Sequence, residues 1–559
     1  MLLDVLKHAL HSLFGKKNAT ARDPEALADP QDLIRRAQQA HATGALDLAL
    51  RDYDLALSLP GQIAPPQRAA VLVNVGAILR ERVRLPDAIE RLREAVDLDP
   101  SIAAAHYNLG LTLYETGAVE QAESALARAI DLDPDFQAAH STLLCLYGLA
   151  RSHDPAFVLD RHRFWAARHA DPLTSRAAPH TNNRTPGRPL TVGYVSADFR
   201  EHSIARFISP ILANHDRSHV RVICYDNWPA PDATTLHLQS LADAWRKIDT
   251  LDDASAADLI RADKVDILVD LSGHTAGNRL LVFARKAAPV QATWLGYMCT
   301  TGMAAMDWRI TDAYLDPPGA SEHKYTEKLA RIASAAAFEP HPDSPAISDS
   351  PAISRGFVRF GSFNNYTKIG DEVIALWSAI LAALPTARLL LVALGGDAPD
   401  VQESIRARFR DHAADSAVAS RVDIAGRRPL RQFLGMFNDV DIALDPFPYG
   451  GGTTSLHTLW MGVPIVTLEG NSELARSTSG MMIGCGLESL VARNEKQYLD
   501  IAVHLATDLQ RLDELRKSIR SRLSESTLGN AESVTRSLEE AYRMMWSEYL
   551  RENQTEKTE

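Results

Sequence analysis

The apolar residues of this chain follow two different patterns along its length. In the N-terminal third, small and apolar residues return in the same order after a constant interval. Small residues let two helices pack closely where they cross, and a proline ends the second helix of a pair. The pattern therefore predicts stacked helical hairpins with a period of 34 residues. The pairs at this spacing are Gly76 and Gly110, Ala88 and Ala122, Leu92 and Leu126, Ala95 and Ala129, and Pro100 and Pro134.

This period is typical of the tetratricopeptide repeat. The stretch "YNLGLTLYETGAVEQAESALARAIDLDP" (107–134) fits that repeat at nearly every position. An earlier copy includes Gly44, Tyr53 and Pro60, and a degenerate last copy covers 136–165, as in a capping repeat. We expect three clear repeats and a degenerate one within 31–170, preceded by a helix or linker at 1–30.

Two asparagines at the repeat spacing suggest a partner for this region. Asn74 and Asn108 are 34 residues apart, on the helix expected to line the concave face of the stack. An asparagine side chain can pair with a peptide backbone whatever the peptide sequence. The repeats are therefore predicted to bind a protein or peptide along their groove, although both asparagines can equally be capping or solvated residues of the repeat itself.

After about residue 189, short β-branched runs alternate with longer helical segments. Such runs are typical of buried parallel strands, and two doubly wound α/β domains are the simplest account. We predict the fold class α + α/β, with one domain at 188–338 and a second at 357–555. The join at 339–356 contains a tandem hexapeptide, "DSPAISDSPAIS" (343–354), predicted to be a loop. The strand-like runs are "LTVGYVS", "VRVICYD", "VDILVDLSG", "VQATWLG", "VRFGSFN", "ARLLLVALG", "RVDIAG", "DIALDP" and "VPIVTLEG".

Composition excludes several classes of protein. The net charge of -12 disfavours a general nucleic-acid binder, which needs a basic face. The four cysteines form no CxxC pair, which indicates neither a zinc module nor a disulfide framework. The N-terminal "MLLDVLKHALHSLFGKK" has its lysines in the wrong place for a secretory signal, and no run reaches the roughly 20 apolar residues of a membrane span. We expect a cytoplasmic protein with no nucleic-acid or membrane partner.

A glycine-rich elbow follows one predicted strand. In "ALDPFPYGGGTTSLHTLWMGVPIV" (443–466), three glycines and two threonines precede a helical segment. Backbone N–H groups at a helix N-terminus bind anions, and the threonine hydroxyls can add donors. The elbow is neither a Walker loop nor GxGxxG. On the residues alone, a phosphate cradle and a structural turn are equally plausible.

Five stretches, in their order and together with the repeats, resemble the O-linked N-acetylglucosamine transferases. The resemblance implies a B-type glycosyltransferase with two Rossmann-like domains after the repeats. It also implies inverting, metal-independent transfer of N-acetylglucosamine from UDP-GlcNAc to Ser or Thr hydroxyls of proteins, with no cofactor. The stretches are "GYVSADFREHS" (193–203), "PVQATWLGYMCTTG" (289–302), "MDWRITD" (306–312), "GSFNNYTKI" (361–369) and "GGTTSLHTLWMGVPIVTL" (451–468).

The resemblance also assigns a donor site. Lys368 occupies the phosphate-binding lysine position of the family, where a cation can stabilise the departing diphosphate. The resemblance also favours a phosphate cradle over a structural turn for the elbow. The animal enzymes of the family, however, carry a His at the position of Gly452 and an Asp at the position of His457. Arg427 is a further neighbour with weaker support. The UDP-sugar residues are expected to be Asn365, Lys368, Arg428, Gly451, Gly452, Thr453, Thr454 and His457.

In the first half, His202 of "DFREHS" matches a family histidine, so it is the expected catalytic residue alongside Lys368. It can act as the base or position the acceptor, and both roles remain open. Asp258 and His274 are weaker catalytic candidates, and no DxD motif on a strand-end loop indicates a metal site. The alternatives are a related transferase that uses another UDP-sugar or an Asn acceptor, or a non-catalytic repeat scaffold with a nucleotide-binding domain.

Overall fold

The computed structural model describes residues 29–59, 61, 63–148, 154–413 and 415–555. Most of the predicted N-terminal segment (1–30) and the whole of Pro60 therefore lie outside the described residues. The chain divides into two compact units, Met1–Leu143 and Leu144–Glu559. Within the described residues, no helix is both long enough and apolar enough to cross a membrane.

The first unit consists of helices that pack against their neighbours in sequence as hairpins. The prediction of helical repeats is confirmed, and the constant spacing of the glycines has a steric cause. A Cβ on Gly76 would come within 2.5 Å of Leu92 Cγ, and a Cβ on Gly110 within 2.7 Å of Leu126 Cγ. The helices are α1 (Pro30–Ala42), α2 (Leu46–Ser58), α3 (Pro65–Glu81), α4 (Leu85–Leu98), α5 (Ala103–Thr116), α6 (Val119–Leu132) and α7 (Gln137–Tyr147).

The second unit begins with two helices and a seven-stranded sheet. All strands are parallel, in the order β3-β2-β1-β4-β5-β6-β7. The sequence pattern missed β3, β6 and β7, which contain charged residues. The elements are α8 (Pro155–His169), α9 (Asp171–Thr174), β1 (Leu190–Ser196), α10 (Ala205–Asn214), β2 (Val220–Asp226), α11 (Ala233–Leu241), β3 (Ala244–Lys247), α12 (Asp253–Ala262), β4 (Ile267–Asp270), α13 (Leu280–Ala284), β5 (Val290–Thr293), β6 (Trp308–Asp312) and β7 (Lys328–Ile332).

A second parallel sheet of six strands follows, in the order β10-β9-β8-β11-β12-β13. The two α/β sheets confirm the predicted fold class. The elements are α14 (Pro351–Arg355), β8 (Arg359–Ser362), α15 (Asp371–Ala383), β9 (Arg388–Val392), α16 (Pro399–His412), β10 (Val422–Ala425), α17 (Leu430–Met436), β11 (Ile442–Leu444), α18 (Thr453–Trp460), β12 (Ile465–Leu468), α19 (Glu473–Gly484), β13 (Val491–Ala492), α20 (Glu495–Thr507), α21 (Leu509–Glu525) and α22 (Ala531–Thr555).

The last helix, α22, corrects the predicted domain at 357–555. Its apolar face is buried in the core of the first sheet, at Val534, Leu538 and Met545 among others. The hydroxyl of Tyr542 bonds to that of Tyr194 at 2.9 Å, on β1. Helical spacing identifies an amphipathic helix but does not identify the surface that covers its apolar face. The last helix therefore belongs to the α/β domain of the first sheet and not to that of the second sheet.

The prediction that the tandem hexapeptide is a loop is confirmed for its first copy and wrong for its second. In the first copy, Ile347 lies against Gly462. The second copy enters α14, where Ser350 is buried and Ala352 N–H donates to Asp441 Oδ1 at 2.8 Å. Ile353, which corresponds to Ile347, is exposed.

Candidate active site

In each sheet the strand order reverses between two central strands, β1 and β4 in the first sheet and β8 and β11 in the second. Ligands of open α/β sheets bind beyond the carboxyl ends of the strands at such a switch point. His202 follows β1, Lys368 follows β8, and the glycine elbow follows β11. The topology therefore brings these three loops to one cleft within the second unit.

The elbow is held by a dense set of hydrogen bonds. Gly451 N–H donates to Asp445 Oδ1 at 2.8 Å, and Gly451 O accepts from Ser477 Oγ at 3.1 Å and Thr478 Oγ1 at 3.0 Å. A Cβ on Gly450 would lie 2.6 Å from Asp445 Oδ2, and one on Gly451 would lie 2.0 Å from the hydroxyl of Ser455. Glycine is needed here because the backbone and buried polar side chains approach so closely.

Helix α18 begins directly after the elbow. The first intrahelical bond runs from Leu456 N–H to Gly452 O at 3.2 Å, so the amides of Thr453, Thr454 and Ser455 precede it. Among the described residues, no side chain caps this helix end. Uncapped amides and the positive end of the helix dipole form a binding site for an anion. Both threonines line the cleft.

Lys368 faces the elbow from the loop after β8. Its Nζ donates to Gly450 O at 2.9 Å and lies 3.6 Å from the centroid of the Tyr449 ring. Burial lowers the pKa of Lys368 to about 8, and the carboxylate of Asp445 opposes that shift. The ammonium is therefore charged at neutral pH, and Lys368 lines the same cavity as the first residues of α18.

Two cavities meet at Thr453, Thr454 and His202, which line both of them. The larger, of about 770 Å³, extends between the two α/β domains and is also lined by Lys368, Arg309 and Glu473. The smaller, of about 420 Å³, lies over the second sheet. Its lining includes Asn365, Arg427, Arg428 and His457.

His202 is half-buried at the junction of these cavities. Its Nδ1 lies 3.6 Å from Asp198 Oδ1 and 3.3 Å from the N–H of Ile204, which donates to it. Burial lowers the pKa of His202 below its usual value, against the opposing effect of Asp198. The imidazole is therefore neutral near pH 7, and its tautomer depends on which of these two neighbours pairs with Nδ1.

His457 lies one helical turn inside α18 and is buried. Its ring packs edge-on against Phe338, with centroids 5.5 Å apart. Burial lowers the pKa of His457 to about 4, so the ring is neutral. Among the described residues, its Nδ1 has no hydrogen-bond partner. The residue lines the smaller cavity, although this atom is itself covered.

Asn365 and Arg428, the other side chains predicted for the donor site, line the smaller cavity and differ in how they are held. Asn365 is exposed at its edge, and Arg428 is held there by two bonds to Asp397, at 2.6 and 2.8 Å. The neighbouring Asn364 is buried and donates to Asp445 Oδ1 at 3.3 Å. Asn364 therefore supports the elbow, while Asn365 faces the cavity.

Two predicted catalytic residues lie elsewhere. Asp258 is on the exposed face of α12, and His274 is buried in a ring cluster with His162, Trp165 and Tyr297. Among the described residues that line the two cavities, neither is present. Sequence position after a strand suggested His274, but its Nε2 is turned to Thr301 O at 3.0 Å. We therefore remove both from the candidate site.

The predicted peptide-binding asparagines belong to the repeat unit and occupy equivalent places on α3 and α5. Both are half-buried. Asn108 Nδ2 donates to Ala104 O of its own helix at 2.8 Å. Because this bond uses the NH₂ group of Asn108, the amide oxygen is the part of the side chain that can still accept a hydrogen bond.

Several site residues were missed by sequence reasoning. Asp445 and Tyr449 flank the cradle, and Arg309 and Glu473 form a buried ion pair at the wall of the larger cavity. Asp445 could have been found as the acid that ends a buried strand just before the glycines. Nothing in the sequence pairs Arg309 with Glu473, because they lie on different domains.

Comparison with known proteins agrees with this architecture. The tetratricopeptide repeat family matches residues 78–135, and glycosyl transferase family 41 matches residues 134–343 and 351–538. The structure is similar to that of a mutant of the Thermobaculum terrenum O-GlcNAc transferase, with a TM-score of 0.86 and 39% identity. That match covers 96% of this chain and 100% of the other.

Two plant proteins illustrate the sequence relationship. The probable UDP-N-acetylglucosamine–peptide N-acetylglucosaminyltransferase SPINDLY of Hordeum vulgare is 39% identical over 397 residues, which are 70% of this chain and 41% of that protein. The corresponding SEC protein of Arabidopsis thaliana is 28% identical over 429 residues, 72% of this chain and 42% of its own. The chain spans about two fifths of the length of these curated relatives. The predicted resemblance is confirmed, and the chain belongs to glycosyl transferase family 41.

Proposed function

We propose that this protein transfers N-acetylglucosamine from UDP-GlcNAc to Ser or Thr hydroxyls of protein substrates. The observation that carries the proposal is the convergence of Lys368, the uncapped amides of α18 and His202 on one cleft. The names of the curated plant relatives and the similarity to the bacterial O-GlcNAc transferase support the choice of sugar and acceptor.

The donor diphosphate would bind between Lys368 and the first turn of α18. A departing nucleoside diphosphate develops negative charge, and preorganised donors that face this charge stabilise the transition state. One ammonium and three backbone amides can supply such donors without a metal ion. The smaller cavity, lined by Asn365, Arg428 and His457, would hold the nucleoside.

The acceptor would approach from the larger cavity, on the side of His202. Its hydroxyl oxygen forms a bond to the anomeric carbon while the bond from that carbon to the diphosphate breaks, which inverts the configuration. A proton on Nδ1, directed to Asp198, leaves Nε2 free to receive the hydroxyl proton. With the opposite tautomer, which accepts from Ile204, Nε2–H would orient the acceptor by donating a hydrogen bond.

The repeat unit would bind the polypeptide that carries the acceptor. The recurring positions of Asn74 and Asn108 supply amide groups that recognise a peptide backbone rather than particular side chains. Sequence-independent contacts of this kind suit an enzyme that acts on extended segments of several proteins.

Calorimetry with UDP, UDP-GlcNAc and UDP-glucose, with and without EDTA, tests the donor site. We expect UDP and UDP-GlcNAc to bind regardless of EDTA, and the wild-type protein to label a Ser/Thr-containing acceptor protein with radioactive N-acetylglucosamine. Binding of none of the three would favour a non-catalytic scaffold. Tighter binding and transfer with UDP-glucose would favour another sugar, and loss with EDTA would contradict the metal-free mechanism.

A further inference from the structure

We propose that Asp445 is a positioning residue that shapes the diphosphate cradle by fixing the peptide group to which Lys368 also bonds. The inference rests on the proposed function, because it assumes that the cradle receives a diphosphate. Asp445 does not face the ligand itself. It lies beneath the elbow, at the carboxyl end of β11, and is buried.

Lys368 and Asp445 hold the two sides of a single peptide group. The carbonyl of Gly450 accepts from Lys368 Nζ at 2.9 Å, and the N–H of Gly451, in the same peptide, donates to Asp445 Oδ1 at 2.8 Å. A peptide group is planar, so fixing both of its polar atoms fixes its orientation. The glycines that lead into α18 are thereby held at the angle that presents the helix amides to the cleft.

The surroundings of Asp445 are built for a carboxylate. Oδ1 accepts from Asn364 as well as from Gly451, and Oδ2 accepts from the hydroxyl of Thr467 at 2.8 Å. Because a carboxylate can only accept, it satisfies donors on both oxygens. An asparagine at this position has nearly the same size and shape, and its NH₂ group can donate to the hydroxyl of Thr467, so the substitution removes mainly the charge.

The charge of Asp445 also acts on Lys368. The ammonium contacts Gly450 O and the ring of Tyr449, and the carboxylate of Asp445 is near enough to act on it through its charge. Of these, Asp445 is the one whose charge favours the protonated lysine, against the effect of burial. Tyr498, which donates to Asp445 O at 3.0 Å, stays neutral because burial raises its pKa. Removing the carboxylate should therefore lower the pH at which Lys368 loses its proton.

A second buried aspartate provides a matched control. Asp441 precedes β11 at the opposite end of the strand from the cleft, and it accepts from Ala352 N–H at 2.8 Å and Arg359 N–H at 2.9 Å. Asp441→Asn removes a buried carboxylate of similar hydrogen bonding next to the same strand. It should reduce stability without changing how UDP binding depends on pH.

The experiment measures UDP affinity by calorimetry between about pH 6 and about pH 9.5 for the wild type, Asp445→Asn, Asp441→Asn and Lys368→Met, with folding checked by circular dichroism. We expect wild-type affinity to fall above pH 8 and Asp441→Asn to follow it. In Asp445→Asn, UDP should bind about tenfold more weakly at pH 8, with the fall beginning about one pH unit lower. Lys368→Met should bind weakly and show no such fall.

The outcomes separate the inference from the proposed function. Absence of UDP binding by the folded wild type overturns the proposed function. If wild type binds UDP but Asp445→Asn matches it, or weakens equally at every pH, the positioning role is overturned. Should Asp445→Asn fail to fold, Gly450→Ala tests the placement, because its Cβ would displace the Asp445 carboxylate. Wild-type UDP affinity in that variant would overturn the inference.

Discussion

The guanidinium of Arg309 and the carboxylate of Glu473 form a buried ion pair between the two α/β domains, although 164 residues separate them in sequence. Arg309 lies on β6 and also donates from Nη1 to the carbonyls of Tyr297 and Cys299, both at 2.9 Å. Glu473 is the first residue of α19 and accepts from the Tyr325 hydroxyl at 3.2 Å. Both residues line the larger cavity, so their ion pair stabilises the wall of the proposed acceptor site.

Arg309→Met should destabilise the protein strongly. Removing one partner of a buried ion pair leaves the other charge unpaired, at a cost of about 3–5 kcal/mol in free energy of unfolding. Urea denaturation followed by circular dichroism measures this cost. Lys328→Met is the matched control, since Lys328 pairs with Glu548 at an exposed site, where loss should cost less than about 1 kcal/mol. Equal costs for the two variants would contradict a special role for the buried pair.

Lys368→Met should abolish most transfer while preserving the fold. In the proposed mechanism the ammonium faces the departing diphosphate, and losing such a group lowers kcat by about 10²–10³-fold. Steady-state transfer of labelled N-acetylglucosamine to an acceptor protein measures the effect. Lys496→Met, which removes an exposed lysine of α20, should leave kcat unchanged. Near-wild-type turnover of Lys368→Met would contradict the assignment of the cradle.

The pH dependence of kcat/KM should show a fall on the alkaline side. Burial lowers the pKa of Lys368 to about 8, from its ordinary value of 10.5. The ammonium is therefore present below that pH and is lost as the pH rises through it, and kcat/KM reports groups of the free enzyme. Profiles of the wild type and Asp441→Asn should coincide. A flat profile up to about pH 10 would show that this lysine does not act through its charge.

His457→Leu should separate donor binding from stability. The buried Nδ1 has no partner among the described residues, so an apolar replacement removes an unsatisfied polar atom and should leave Tm unchanged or raised. If that atom binds the donor, UDP affinity should fall about tenfold. Thermal unfolding and calorimetry on the same samples measure both quantities. A lower Tm with unchanged UDP affinity would indicate a purely structural histidine.

Val83→Gly should stabilise the repeat unit. Val83 has φ of 60° in the turn between α3 and α4, whereas the equivalent residue of the next repeat, 34 positions on, is Gly117 with φ of 84°. A β-branched residue in this left-handed region is strained by about 1–2 kcal/mol, and glycine relieves that strain. Chemical denaturation should show a gain of about 1 kcal/mol for Val83→Gly and a loss for Gly117→Val.

The structure brings some of the residues singled out from the sequence to one cleft and places others elsewhere. Lys368, Thr453 and Thr454 follow strands whose apolar pattern is clear, and parallel strands bring the loops at their carboxyl ends to one edge. His274 also follows a strand, and Asp258 matches a family carboxylate, yet Asp258 is exposed on a helix and His274 is turned into a ring cluster. Side-chain direction depends on neighbours distant in sequence, which local spacing does not specify.

By itself, the sequence determined the helical period, most strands of the two sheets and the positions of the loops that carry the cradle. These follow from local spacing, glycine conformation and the alternation of strands and helices. Only the tertiary structure decided that α22 packs on the first sheet and that Arg309 pairs with Glu473. It also decided that one copy of DSPAIS is a loop while the other enters a helix. The identical hexapeptides differ because Gly462 contacts Ile347 in one copy, while Asp441 bonds to the backbone of Ala352 in the other. Local propensity is the same in both copies, so long-range contacts select the conformation.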